Sequence, residues 1–149
     1  MSPKEYLQRV QNAEREIRTI KAKIEHYQDL IVVGSSLNIG NTPVSHTKGS
    51  SRVETIAVGM IDALEGLNAN LGAYEAIVRD AEEKIKRIPQ ANYRQILTLR
   101  YLCGWKFPRI SEELRYTDRN SIYRAHGYAL LELGKVMKDE DIKSGNQSV

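Results

Sequence analysis

Ile110-Ser111-Glu112-Glu113-Leu114-Arg115-Tyr116-Thr117-Asp118-Arg119-Asn120-Ser121-Ile122-Tyr123-Arg124-Ala125 is a stretch whose apolar spacing changes phase across a very short interval. Ile110 and Leu114 stand four apart on one face of a short helix that Pro108 can open as a first-turn residue. Arg115-Tyr116-Thr117-Asp118 reads as a tight turn, and either Thr117 or Asp118 can cap the next helix by accepting a hydrogen bond from an otherwise unpaired backbone N–H. That helix is predicted over residues 119–137, with Ile122, Ala125, Ala129, Leu130 and Leu133 on its core face. Ile110, Leu114, Thr117 and Ile122 therefore fall at i, i+4, i+7 and i+12, the pattern of two short helices crossing steeply in a helix-turn-helix. Upstream, Tyr93, Ile96, Leu97, Leu99 and Leu102 predict another helix over 91–103, which Gly104 ends.

A helix turns about 100° per residue. With Ile122 at the centre of the buried face, Asn120, Tyr123, Arg124 and Gly127 lie on the outer side. Ser121 and Tyr128 flank them, and Arg119 is exposed in the first turn. Arginine can donate two hydrogen bonds to guanine, asparagine can pair with adenine, and serine or tyrosine hydroxyls reach phosphates. Residues near a recognition helix's N-terminus enter the major groove, which selects Arg119, Asn120, Tyr123 and Arg124. Thr117 lies in the adjoining turn, and Arg94, Arg100, Lys106, Arg109 and Arg115 are candidates for contacts to the phosphate backbone. His126, about 40° from Ile122 by the same geometry, is expected to be a half-buried packing or phosphate-contacting residue.

The charge distribution agrees. The 149 residues carry a net charge of +3, a figure with little meaning until it is resolved along the chain. Residues 1–89 hold 12 Lys and Arg against 12 Asp and Glu. Residues 90–138 hold nine against four, a net of +5, and residues 139–149 hold one against three, a net of −2. A polyanion would meet only the middle block.

The front half reads differently. Val10, Ala13, Ile17, Ile20, Ile24, Tyr27 and Ile31 alternate steps of three and four, as do Val53, Ala57, Met60, Leu64, Leu67, Leu71, Tyr74, Val78, Ala81, Ile85 and Ile88. Each is a heptad seam that must face another helix. Ser2-Pro3 with Glu5 predicts a capping box at the first helix. Between the seams, thirteen of the nineteen residues 34–52 are Gly, Ser, Asn, Thr or Pro, which predicts a disordered loop. Gly49-Ser50-Ser51 lacks the spacing of a phosphate-binding loop. The expectation is an all-α chain: a long antiparallel, coiled-coil-like helical hairpin over 1–89, a helix-turn-helix domain over 90–138 and an acidic flexible tail over 139–149. The seams pair within the chain or between chains, so the hairpin is also a candidate oligomerisation surface. Gly59 and Gly66, one heptad apart and off the seam, read as tolerated weak points ahead of a helix-contact surface.

Leu99-Arg100-Tyr101, Gly104, Ile110, Leu114, Thr117, Ile122 and Ala129-Leu130-x-x-Leu133 resemble the fourth conserved region of bacterial sigma factors, which reads the −35 promoter element. Ile122-Tyr123-Arg124-Ala125-His126-Gly127-Tyr128-Ala129-Leu130 is more similar to small phage and prophage proteins of Gram-positive bacteria, the ArpU-like and RinA-like late-gene regulators. The resemblance covers about a third of the chain. It implies a promoter-binding activator that works with host RNA polymerase in the bacterial cytoplasm, at the nucleoid. Two positions depart from that pattern: Arg115 stands where a turn glycine is usual, and Ser111 where alanine is usual. The chain is too short to hold the polymerase-core-binding region of a complete sigma factor.

Other classes are disfavoured by residue content. His26, His46 and His126 sit in unrelated contexts, and the neighbouring carboxylates Glu112-Glu113 and Glu82-Glu83 point about 100° apart on a helix, so no catalytic grouping emerges. The single cysteine, Cys103, precludes an intramolecular disulfide and is expected to be packed. Neither a metal, a cofactor, a membrane span nor a secretory leader is expected. Two rival functions share this layout: a small-terminase-like DNA-packaging protein of phages, and an interaction module in which the hairpin binds RNA polymerase or a repressor.

Overall fold

The structure, a computed structural model, describes residues 1–39 and 47–147, with burial assigned for 1–34 and 54–145. Among them every regular element is a helix: α1 Pro3–Ile39, α2 Thr47–Lys86, α3 Ala91–Leu97, α4 Phe107–Glu113 and α5 Arg119–Gln147. A π-helical turn, Thr98–Leu102, continues α3. The chain divides into two compact units, Met1–Glu14 with Glu75–Val149, and Arg15–Tyr74.

In the first unit α1 begins as its sequence requires. The Glu5 N–H donates to Ser2 Oγ at 3.2 Å, and the Ser2 N–H donates to Glu5 Oε2 at 3.1 Å, a reciprocal capping box. Leu7 and Val10 are fully buried, and Val78, Ala81, Ile85 and Ile88 bury the end of the second seam. The Tyr6 hydroxyl donates to Asp80 at 2.5 Å, joining the start of α1 to the end of α2.

The helices around the quoted stretch share a core of Ile96, Ile110, Ile122 and Ala125, closed by Tyr93, Leu99, Trp105, Phe107, Leu114 and Tyr116. α5 supplies the longest apolar stripe, with Ile122, Ala125, Ala129, Leu133 and Val136 all buried. Gly134 lies against α1: a Cβ there would stand 3.2 Å from Pro3 Cγ.

Four sequence expectations are corrected. The helix expected over 91–103 is α-helical only to Leu97, because the Cys103 N–H reaches back five residues to Thr98 O. The widened turn leaves Arg100 O to accept from Gln11 Nε2 at 3.3 Å, a tertiary partner that no local pattern announces. Cys103 is exposed, not packed, because Gly104 at φ 75° turns the chain away immediately after it. The loop expected over 34–52 is narrower, since α1 runs to Ile39 and α2 starts at Thr47; residues 40–46 lie outside the described residues. Extending a nucleated helix costs far less than starting one, so poor formers can still continue it. The tail expected over 139–149 is helical to Gln147. Glu140 anchors it, accepting from Lys84 Nζ at 2.9 Å and pairing with Arg87.

Lys84 bridges Asp80 and Glu140, and its side chain is only 13% exposed. Burial opposes its charge, but the two carboxylates outweigh burial and raise its pKa. Asp80 is likewise opposed by burial and is held below its ordinary value by bonds from Lys84 and Tyr6. Removing Glu140 leaves a largely buried ammonium with one partner fewer. Glu140→Ala should therefore lower the unfolding free energy by about 1–2 kcal/mol, read from urea denaturation. An exposed neighbouring carboxylate, Asp141, should be replaceable by Ala with no measurable change.

Candidate nucleic-acid interface

The site is built on the junction between α4 and α5. α4 ends with Leu114, followed by Arg115 at φ 61°, the only non-glycine residue in the left-handed region among the described residues. The Arg115 N–H donates to Glu112 O at 3.3 Å, and the Tyr116 N–H donates to Ser111 O at 2.9 Å, which together form a Schellman-type termination. Ser111 Oγ also donates to Tyr116 O at 3.2 Å. The two departures from the sigma-like pattern are thus one feature: Ser111 bonds across the turn that Arg115 strains.

α5 then begins under a cap from Asp118, whose Oδ1 accepts from the Asn120 N–H at 3.2 Å. Of the two residues able to cap the helix, Asp118 does so, while Thr117 is exposed. With Ile122 and Ala125 buried, the outer side of the first turns presents Arg119, Asn120, Tyr123 and Arg124, all exposed. Ser121 is half-buried, and Tyr128 is exposed one turn further along. The ion pairs described in the chain involve neither Arg119 nor Arg124, nor the exposed Lys106, Arg109 and Arg115.

Aromatic side chains hold part of this surface in place. Tyr123 packs on Phe107 with ring centroids 5.0 Å apart, and Arg109 lies 3.7 Å above the Trp105 ring. Neither support was anticipated from sequence; the only signal was Trp105-x-Phe107 next to α4, with Arg109 four residues after the tryptophan. Two further cations named as phosphate contacts are engaged within the protein. Arg94 donates to Ile88 O at 2.6 Å and Pro89 O at 2.8 Å, holding the α2–α3 connection. Arg100 donates to Trp105 O at 3.2 Å and sits 4.3 Å over the Phe107 ring.

His126 lies beneath this surface. Its Nε2 shares a hydrogen bond of 2.8 Å with the Tyr101 hydroxyl, and its ring meets Phe107 edge-on. Burial first, then the charges of Arg100 and Lys4, lowers its pKa to about 4. The ring is therefore neutral near pH 7 and contributes packing. Among the described residues no three His, Cys, Asp or Glu side chains gather as a metal ion would need.

Comparison with known proteins gives no matching family, no similar curated protein and no similar solved structure.

Two outcomes test this geometry. Arg115→Gly should relieve the left-handed strain and stabilise the fold by about 1 kcal/mol, whereas Arg115→Ala should not; thermal unfolding of both variants separates the effects of conformation and charge. For His126 the unfolded chain, with a pKa near 6.5, takes up a proton before the folded one does. Stability present above that pH is therefore lost as pH falls from about 6.5 to about 4. His126→Gln should flatten the pH dependence of the urea midpoint between pH 6.5 and 5.

Proposed function

We propose that this chain is a sequence-specific double-stranded DNA-binding transcriptional regulator. In this reading it is a phage or prophage late-gene activator that acts at a promoter together with RNA polymerase. One observation carries the reading: the outer face at the start of α5 exposes Arg119, Asn120, Tyr123 and Arg124, none in an ion pair among the described residues, while its inner face is locked into the core. α4 and α5 act as the helix-turn-helix, with α5 entering the major groove. Lys106, Arg109 and Arg115 meet phosphates alongside Thr117, with Ser121 and Tyr128 at the margins. The net charge of +5 over residues 90–138 supports this assignment, and the resemblance to the sigma-type region supplies the promoter and the polymerase.

α1 and α2 form the antiparallel hairpin in this reading. Tyr6 bonds Asp80, and a separate groove gathers Lys23, His26 and Tyr27 with Ala63, Gly66 and Leu67. From the first place to the second the α1 number rises, from Tyr6 to Lys23, while the α2 number falls, from Asp80 to Ala63–Leu67, as opposed helices require. No helix among the described residues is long and apolar enough to cross a membrane, which accords with action on DNA.

The test is binding of the full chain to duplexes enriched from a random pool. Arg119→Ala and Arg124→Ala should each lose about 1–3 kcal/mol for the selected site and relax preference at individual base pairs. Lys106→Ala should weaken all sequences alike and lower the salt slope by about one. Unchanged affinity in the Arg119→Ala/Arg124→Ala double variant would overturn the assignment. Binding without stimulation of transcription, by a ring-sized oligomer, would favour the packaging function instead.

A further inference from the structure

One large aromatic side chain stands in the middle of the polar face at the start of α5. Tyr123 is 51% exposed, with the exposed Arg119 and Asn120 one turn before it and Arg124 beside it. Its ring is not loose. One part packs on Phe107, with centroids 5.0 Å apart and planes tilted by 53°. Phe107 is itself held, by the His126 ring edge-on at 4.9 Å and by the Arg100 guanidinium 4.3 Å from its centroid. Packing thus fixes the inner part of the Tyr123 ring and leaves the outer part bare.

The helix keeps that part bare. Side chains on an α-helix lean toward its N-terminus, so a side chain at position 127 would lie over residue 123, one turn before it. Position 127 is a glycine, and no atom stands within 4 Å of where its Cβ would be. There is room for a larger residue, and glycine is among the weakest residues inside a helix. Crowding within the protein does not call for Gly127. Close approach of something else to the Tyr123 ring does.

The chemistry of the ring selects what approaches. Base edges in the major groove offer hydrogen-bond donors and acceptors and one apolar group, the C5 methyl of thymine. A pinned ring set over a polar base edge strips that edge of water and gives no hydrogen bond in return. Set over the methyl, it buries apolar surface on both partners. We infer, resting on the DNA-binding function proposed for this face, that Tyr123 reads the methyl group of a thymine in the major groove, on a ring pinned by Phe107 and left uncovered by Gly127. The target then carries a 5-methylated pyrimidine at the base pair under Tyr123.

The experiment uses the full chain and a duplex enriched from a random pool, in which each thymine is replaced in turn by deoxyuridine. That exchange removes the methyl and leaves the base pairing unchanged. One position should lose affinity by about three- to fivefold, the worth of a single buried methyl. Cytosine at the same position should bind more weakly still, and 5-methylcytosine there should recover the methyl factor. Tyr123→Phe should keep the discrimination, whereas Tyr123→Ala should bind the thymine and uracil duplexes alike. Gly127→Leu should raise the thermal midpoint yet erase the discrimination, a combination that a purely structural glycine would not give. Selective duplex binding with no thymine–uracil difference at any position, or a difference that survives Tyr123→Ala or Gly127→Leu, would overturn this inference alone. Absence of selective duplex binding by the unaltered chain, or a preference for single strands, on which an exposed ring stacks, would overturn the DNA-binding function with it.

Discussion

The apolar stripe of α5 is the constraint on which the first unit depends. Ile122 and Ala125 close the core over α3 and α4, and Ala129, Leu133 and Val136 continue the same buried line along the helix. Because one helix carries the whole stripe, its first two turns are held by Ile122 and Ala125 and backed by packing further along. The polar face at its start is therefore presented by a rigid support. That is the condition under which a few side chains can discriminate between bases, since an error of an ångström in placement forfeits a paired hydrogen bond.

Polar interactions at the far end of α5 reinforce this. Glu140 binds Lys84 and Arg87 of the α2 end, and Asp80 ties that end to Tyr6 of α1. Burial opposes charge on Lys84, yet each charge has a partner, and no buried side-chain polar atom among the described residues lacks one. Such clusters contribute less to net stability than to fixing one arrangement among several of similar hydrophobic content.

Much of this was legible in the sequence because its cause is local. The heptad seams mark the faces of α1 and α2, Ser2 and Glu5 mark a helix start, and the phase change between Leu114 and Ile122 marks the turn. The features without a local signature depend on distant partners. The π-helical turn at Thr98–Leu102 offers a carbonyl to Gln11, eighty-nine residues away, and Arg94 looks like any exposed cation until the carbonyls of Ile88 and Pro89 are in place. Tyr6 is buried by residues from the other end of α2, and Glu140 looked like part of a solvated acidic tail. The outer face of α5 was readable as a pattern, but its aromatic supports Phe107 and Trp105 were not, since aromatic residues near a helix start fit a core equally well.

The cap at the start of α5 has a bearing on how a duplex would be met. Many proteins hold a phosphate directly on the bare N–H groups of a helix end, letting the backbone dipole act as the cation. Here Asp118 already occupies the Asn120 N–H and sets a negative charge at that end. A sugar–phosphate strand would be turned away from the helix axis and toward the flanking side chains. The angle at which α5 would lie in a groove would then be governed by where Lys106, Arg109 and Arg115 stand, so any docking pose would rest on long, replaceable side chains and not on the main chain.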